Sequence, residues 1–194
     1  MTLNVRETRS VLQKGDLTSL FVEQLGWDYY DTPLRVSVDG QNYDLQPVAH
    51  KRGFVVLRQQ AGGAMPDYAT RRKIERHVAQ SHREHLLIFV DGAGREQIWQ
   101  WVLREPGRPL ASREHRFDAR QSGEALIQKL RNITFTLNEE ADLTLIDVTG
   151  RLRAAFNVER ATKKFFESFR TERSAFEKFV QGIPVEEMSK WYVS

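Results

Sequence analysis

Residues Tyr43 to Gln60 read YDLQPVAHKRGFVVLRQQ. The turn signal Lys51-Arg52-Gly53 divides them into two short strands. The first carries one acid, Asp44, near its start. The second opens on the continuous apolar run FVVL (54–57), the pattern of a central strand buried on both faces, and closes on Arg58, Gln59 and Gln60. Upstream, RVSVD (35–39) alternates as a strand does, and Asp39-Gly40 is a strong hairpin signal into the strand from Tyr43. Before it, LTSLFVEQLG (17–26) spaces Leu17, Leu20, Phe21 and Leu25 as a helix does, with Asp16 as N-cap and Gly26 as stop. The intervening WDYYDTP is an aromatic, turn-like segment.

Downstream, AGGAMPD (61–67) is a loop, and YATRRKIERHVAQSH forms a basic helix with Ile74 and Val78 on its apolar side. EHLLIFVD (84–91) is a second buried strand, Asp91-Gly92-Ala93-Gly94 a turn, and EQIWQWVL (96–103) a further strand. The order helix, hairpin, strand, helix, strand, strand predicts an α/β (α+β) core over 1–106, a mixed sheet flanked by helices. From 107 to 120 the chain is rich in arginine, proline and serine and reads as an exposed basic linker or docking loop. From 121 to 194 it reads as mostly helical: GEALIQKLRNI is one helix. A long helical region follows, capped by Asp142 and broken at Asn157, with Val148, Leu152, Phe156, Phe165, Phe169, Phe176 and Phe179 as its apolar stripe. The sequence ends near Trp191 and Tyr192, large aromatics of the kind that pack on something further along, so the chain is expected to be part of a longer protein.

Of the 194 residues 40% are hydrophobic and 28% charged, which suits a globular protein with one sizeable core. The absence of cysteine excludes disulfides and thiolate metal sites and suits a reducing cytoplasm, where the protein is expected. MTLNVRETRSVLQKGD lacks the apolar centre of a secretory signal, and LLIFV (86–90), the longest apolar run, falls far short of the ~18 residues of a membrane span. A net charge of +3 and a pI of about 9.3 point toward an acidic partner such as nucleic acid.

Metal-dependent phosphodiester cleavage needs two or three carboxylates around Mg²⁺ and a lysine that positions water or stabilises charge. An Asp on one strand beside Glu-x-Lys on the next supplies that set. Asp44 stands in the first position and is the candidate metal ligand; with Glu23, on the preceding helix, it makes the candidate catalytic pair. The strand from Phe54 has neither carboxylate nor lysine. Arg58 carries a lysine's charge, but with a pKa above ~12 it cannot act as a base, and Gln59 and Gln60 offer only carbonyl oxygens. Lys51, on the hairpin turn, is the nearest replacement lysine. The hairpin is a working Mg²⁺ site, the remnant of one, or an ordinary surface hairpin; its composition favours the remnant.

His77, His82 and His85 lie close together without H-E-x-x-H spacing and read as surface histidines at a helix C-terminus, where the dipole favours them. Cations cluster more clearly. Arg71, Arg72, Lys73 and Arg76 share one helix; Arg104, Arg108, Arg113, Arg116 and Arg120 crowd the linker; Arg151, Arg153, Arg160, Lys163 and Lys164 form a third group. Arg71, Arg72, Arg76, Arg108, Arg113 and Arg116 are the candidate nucleic-acid contacts, set against a solvated surface in which acids are interspersed. Trp99 and Trp101 point to one sheet face and are expected to pack in the core. No glycine-rich phosphate loop and no serine or cysteine nucleophile pattern occurs.

LFVEQLGWDYY, YDLQPVAHKRGFVVL and EHLLIFVDGAGREQIWQWV, in that order, resemble the amino-terminal region of type IIG-like restriction–modification fusion proteins, which carry an N6-adenine DNA methyltransferase further along. LRAAFNVERATKKFFESFRTERSAFEKFVQGI, ending at WY, is similar to the helical connector that precedes that domain. The likeness spans roughly residues 17–192. It implies a PD-(D/E)XK nuclease-like fold and a connector leading to a downstream methyltransferase domain. It also implies a role on double-stranded DNA in restriction or phage defence, with Mg²⁺ required for any cutting. Within it only Asp44 matches a metal-binding acid, with Glu23 as a helix acid, and LRQQ lacks the Glu-x-Lys element. The methyltransferase's own glycine-rich S-adenosylmethionine loop and NPPY-type tetrapeptide do not occur. The expected function is a DNA-engaging amino-terminal module. The alternatives are an active Mg²⁺-dependent endonuclease domain and a protein-interaction scaffold that docks the methyltransferase and binds no DNA.

Overall fold

The alternating and apolar runs become six strands of one mixed sheet whose spatial order equals their chain order. They are β1 (Leu34–Val38), β2 (Gln41–Lys51), β3 (Phe54–Gln60), β4 (His85–Val90), β5 (Glu96–Leu103) and β6 (Ala111–Asp118). Each neighbouring pair is antiparallel except β3 and β4, which run parallel and are joined by the crossover helix α3 (Tyr68–Ser81). This is a computed structural model, and it describes residues 3–105, 107–157 and 169–173. The chain divides into Met1–Phe156 and Asn157–Ser194. Of the second unit residues 169–173 are helical, while the expected stripe positions Phe165, Phe176 and Phe179 and the cations Arg160, Lys163 and Lys164 lie outside the described residues.

Both predicted hairpin turns form with two left-handed residues each, Asp39-Gly40 and Arg52-Gly53 (φ 52°, 78°, 49° and 87°), the conformation whose twist matches that of the flanking strands. The run FVVL and the whole of β4 are buried on both faces, as continuous apolar strands must be. On one side of the sheet lie α1 (Val5–Lys14), α2 (Leu17–Ser19, continuing as a π-helical turn over Leu20–Gln24), α4 (Glu124–Asn132) and α5 (Leu145–Phe156). On the other side α3 sets Ile74 and Val78 against Val55, Leu57, Leu87 and Phe89. Among the described residues no helix is long and apolar enough to cross a membrane.

Trp27, in the segment read as a turn, is the hinge pin of the thicker layer. Its ring meets Phe21, Phe54 and Phe135 edge-on with centroids 5.3, 5.9 and 5.6 Å away, and its Nε1–H donates to the Ile133 carbonyl at 2.9 Å. Gly26 ends the helix as expected, and for two reasons. Its φ is 71°, and a Cβ there would stand 2.3 Å from the Phe135 carbonyl oxygen. That close approach ties α2 to the segment between α4 and α5.

Three expectations are corrected. The stretch read as an exposed linker is largely strand: Ala111–Asp118 pairs with the whole of β5. The helices after it belong to the same core as residues before 106, because Leu126, Leu130, Val148 and Leu152 pack in one cluster with Leu20, Val56 and Trp99. The chain therefore divides after Phe156, not at 106 and 121. Helix α5 starts at Leu145 rather than Leu143, and its cap is Thr144, whose side chain and backbone N–H bond to the Asp147 carboxylate at 2.6 and 2.9 Å.

Candidate nucleic-acid interface

On the side of the sheet carrying α1, α2, α4 and α5, apolar side chains stop short of one corner. Along β2 they begin only at Val48, after a bulge beside Pro47, and along β3 they end at Val56. The positions left over on that face are polar: Arg35 and Ser37 of β1, Asn42, Asp44 and Gln46 of β2, and Arg58 and Gln60 of β3. Strand pairing sets Arg35 opposite Asp44, Ser37 opposite Asn42, and Gln46 opposite Arg58. The candidate acid thus shares a face with Arg58-x-Gln60, the pair standing where Glu-x-Lys was sought.

The residues of this corner do not fit Mg²⁺. Asp44 is already taken by Arg35, whose Nε donates to Oδ1 at 2.5 Å, and the Asp44 carboxylate raises the Arg35 pKa further. Arg58 Nη2 donates to the Gln60 side-chain oxygen, and Gln60 Nε2 donates to the Asp91 carbonyl. Among the described residues no three His, Cys, Asp or Glu side chains gather as a metal site requires.

Glu23 is not part of this corner. It is exposed and lines a cavity of about 620 Å³ together with Trp27, Asp28, Lys51 and Glu140. Lys51 lies at the opposite end of β2 from Asp44, and at ~3.4 Å per residue the separation is roughly 24 Å. The structure therefore separates the candidate catalytic pair. Lys51 cannot replace a missing lysine either. Its ammonium is buried and bridges Asp28 at 3.1 Å and Glu140 at 2.6 Å.

The candidate contacts divide sharply on the α3 side. Arg71 is buried: Nη2 donates to both Glu114 oxygens at 3.0 and 3.1 Å, and Nη1 donates to the Pro66 carbonyl at 2.6 Å. It is a strut between α3 and β6, not a surface cation. Arg72 is nearly buried too, donating to Glu75 at 3.1 Å. Glu75 is closed off from solvent and also accepts from Arg104. Burial also corrects the histidine reading, since His85 is 1% exposed while His77 is exposed and His82 half-buried. The His85 Nδ1–H points at the His82 carbonyl, 2.6 Å away, and Nε2 lies 3.8 Å from Glu75. Burial, with the Arg104 charge second, lowers its pKa to about 3, so it is neutral at ordinary pH.

A sequence signal for this network existed. Arg71 and Glu75 are one helical turn apart and flank Ile74 and Val78, so the stripe that buries the apolar pair buries both charged side chains with it.

The charge that remains exposed on α3 is cationic. The helix has four cations, Arg71, Arg72, Lys73 and Arg76, and one acid, Glu75, which is buried. Lys73 reaches Asp39 at 2.6 Å, whereas Arg76 is exposed and makes no ion pair among the described residues. Arg116 of β6, on the same side of the sheet, is likewise exposed and unpaired among the described residues. Arg108 is exposed and pairs with Glu105 at 3.2 Å, and Arg113 is half-buried. Trp99 and Trp101 pack in the core as expected, with Trp99 stacked on Phe21 at 5.7 Å.

No protein-family model matches the chain, and comparison with curated proteins and with solved structures gives no match.

Proposed function

We propose that residues 1–156 are a DNA-engaging module built on a PD-(D/E)XK nuclease-like core that has lost its cutting chemistry. In this reading it forms the amino-terminal part of a restriction–modification or phage-defence methyltransferase protein, acting in the cytoplasm, with residues 157–194 leading to the methyltransferase domain. The fold reading rests on the succession helix, three-strand meander, crossover helix and parallel strand, with the acid of β2 beside the second-strand pair on one face. The DNA reading rests on one observation, that α3 buries its single acid together with Arg71, holds Arg72 nearly buried and turns Lys73 and Arg76 outward. A helix face with Arg76 and Lys73 exposed, with Arg116 exposed on the same side of the sheet, meets a phosphate backbone without an opposing carboxylate on the same helix.

The test is fluorescence anisotropy of a labelled duplex at about 50 and about 200 mM salt. Binding is expected at the lower salt, falling steeply at the higher, and the Arg76→Glu/Arg116→Glu variant should lose about tenfold or more. Equal binding by that variant would remove α3 from the interface. A second reading, a docking scaffold, is favoured by the exposure of Leu137 (92%) and Ile146 (82%). It predicts concentration-dependent self-association that Leu137→Ser/Ile146→Ser abolishes.

A further inference from the structure

Arg58 is a cation without a counter-ion in a central strand. Its neighbours along β3 on both sides are core or amide residues, and its guanidinium is half-buried. Among the described residues it makes no ion pair, and its one hydrogen bond goes to the uncharged Gln60 amide. Its Nε, shut off from solvent, has no acceptor among the described residues. The acid on the same face, Asp44, is committed to Arg35, and the residue directly opposite Arg58 on β2 is Gln46, neutral and exposed. A partly desolvated charge that the protein leaves uncompensated lowers stability. Arginine is also the side chain whose planar fork matches phosphate oxygens.

We propose that Arg58, with the amide of Gln46 across the strand pair, forms a metal-independent site for a phosphate group. The fixed charge of the guanidinium would draw a phosphate without a metal ion. The site lies on the opposite side of the sheet from α3 and does not depend on that helix's contacts. The phosphate comes either from a nucleic-acid backbone or from a small phosphorylated molecule; the first source rests on the function proposed above.

The experiment is thermal unfolding of residues 1–194 with added inorganic phosphate in the presence of EDTA, at constant ionic strength with chloride as control, followed by duplex anisotropy in the same buffer. Wild type is expected to melt higher with phosphate than with chloride. Arg58→Gln should lose that difference, and Arg76→Glu/Arg116→Glu should keep it. Gln46→Glu guards against misfolding, because it places a carboxylate opposite Arg58 on the surface. It should raise the melting temperature without phosphate and abolish the phosphate-dependent rise. No phosphate effect in wild type, or an effect that survives both Arg58→Gln and Gln46→Glu, overturns the site. If phosphate binds through Arg58 and duplex affinity also falls about tenfold in Arg58→Gln, the source is nucleic acid. If phosphate binds through Arg58 and no duplex binds, the site stands for a small phosphorylated ligand and the DNA function fails. If duplex binding depends on Arg76 and Arg116 alone and phosphate has no effect, the DNA function stands and this site falls.

Discussion

Two corners of one sheet handle buried charge in opposite ways. Under α3, every deeply placed cation meets an acid: Arg71 meets Glu114, while Arg72 and Arg104 converge on Glu75. At the open corner of β1–β3, Arg58 meets none, and the nearby acid is held by the exposed Arg35. The first arrangement is structural. Its members neutralise one another's charge and hold α3 and β6 to the sheet. The second leaves charge unspent, and unspent charge beside an open surface is what a binding site looks like before its ligand arrives. Richness in arginine did not separate the two; compensation did.

The contrast can be broken most directly at Glu75. Glu75→Leu leaves Arg72 and Arg104 without their shared carboxylate, and a loss of about 3–5 kcal/mol is expected in urea unfolding. A loss below about 1 kcal/mol would mean the network is not the strut described here.

His85 adds a pH dependence to the same corner. Its pKa of about 3 lies below its ordinary value near 6.5, so the unfolded chain takes up the proton first. The stability due to neutral His85 is complete above about pH 6.5 and is lost progressively as pH falls toward 3. Between pH 7 and 5 the expected loss is about 2 kcal/mol, and His85→Gln should flatten that slope. A slope unchanged by the substitution would assign it to other groups. Glu139, held to a pKa of about 2 first by its Arg151 hydrogen bond and then by Thr136, acts lower still: its contribution disappears only as pH falls from about 4.5 toward 2.

At the open corner the expected change in stability is smaller and of opposite sign. Arg58→Met removes an uncompensated cation, so stability should stay level or rise by up to about 1 kcal/mol. A fall of several kcal/mol would show that Arg58 is paired after all. The smallest expected signal comes from Arg58→Glu/Gln60→Lys, which supplies a carboxylate and a lysine beside Asp44. A Mg²⁺-dependent rise in melting temperature, absent from the parent chain, would support the nuclease-like ancestry, and its absence would leave Asp44 an ordinary partner of Arg35.

Much of the sheet was legible because its signals are local. FVVL and LLIFV are too apolar to lie anywhere but in the middle, and Asp39-Gly40 and Arg52-Gly53 turn by their own backbone preferences. β6 was not legible. It is an edge strand whose face toward α3 is polar, with Glu114 meeting the buried Arg71, so REHRF looked like solvent-exposed linker. α1 escaped for a similar reason, since only Thr8 and Leu12 of its residues are buried. In the site, the position of Asp44 relative to Arg58 and Gln60 follows from strand alternation alone, while the fates of Glu23, Arg71 and His85 do not.

By itself the sequence determined which segments could form central strands and where they turn. It also determined that the second strand of the hairpin brings no carboxylate and no lysine to Asp44. These are matters of residue type and short-range spacing. Only the tertiary structure decided which arginines are free. Arg71 finds Glu114 across 43 positions of chain, and Arg104 finds Glu75 across 29. A charge's role depends on what stands within a few ångströms of it, and here the chain brings those neighbours from the far side of a helix or sheet.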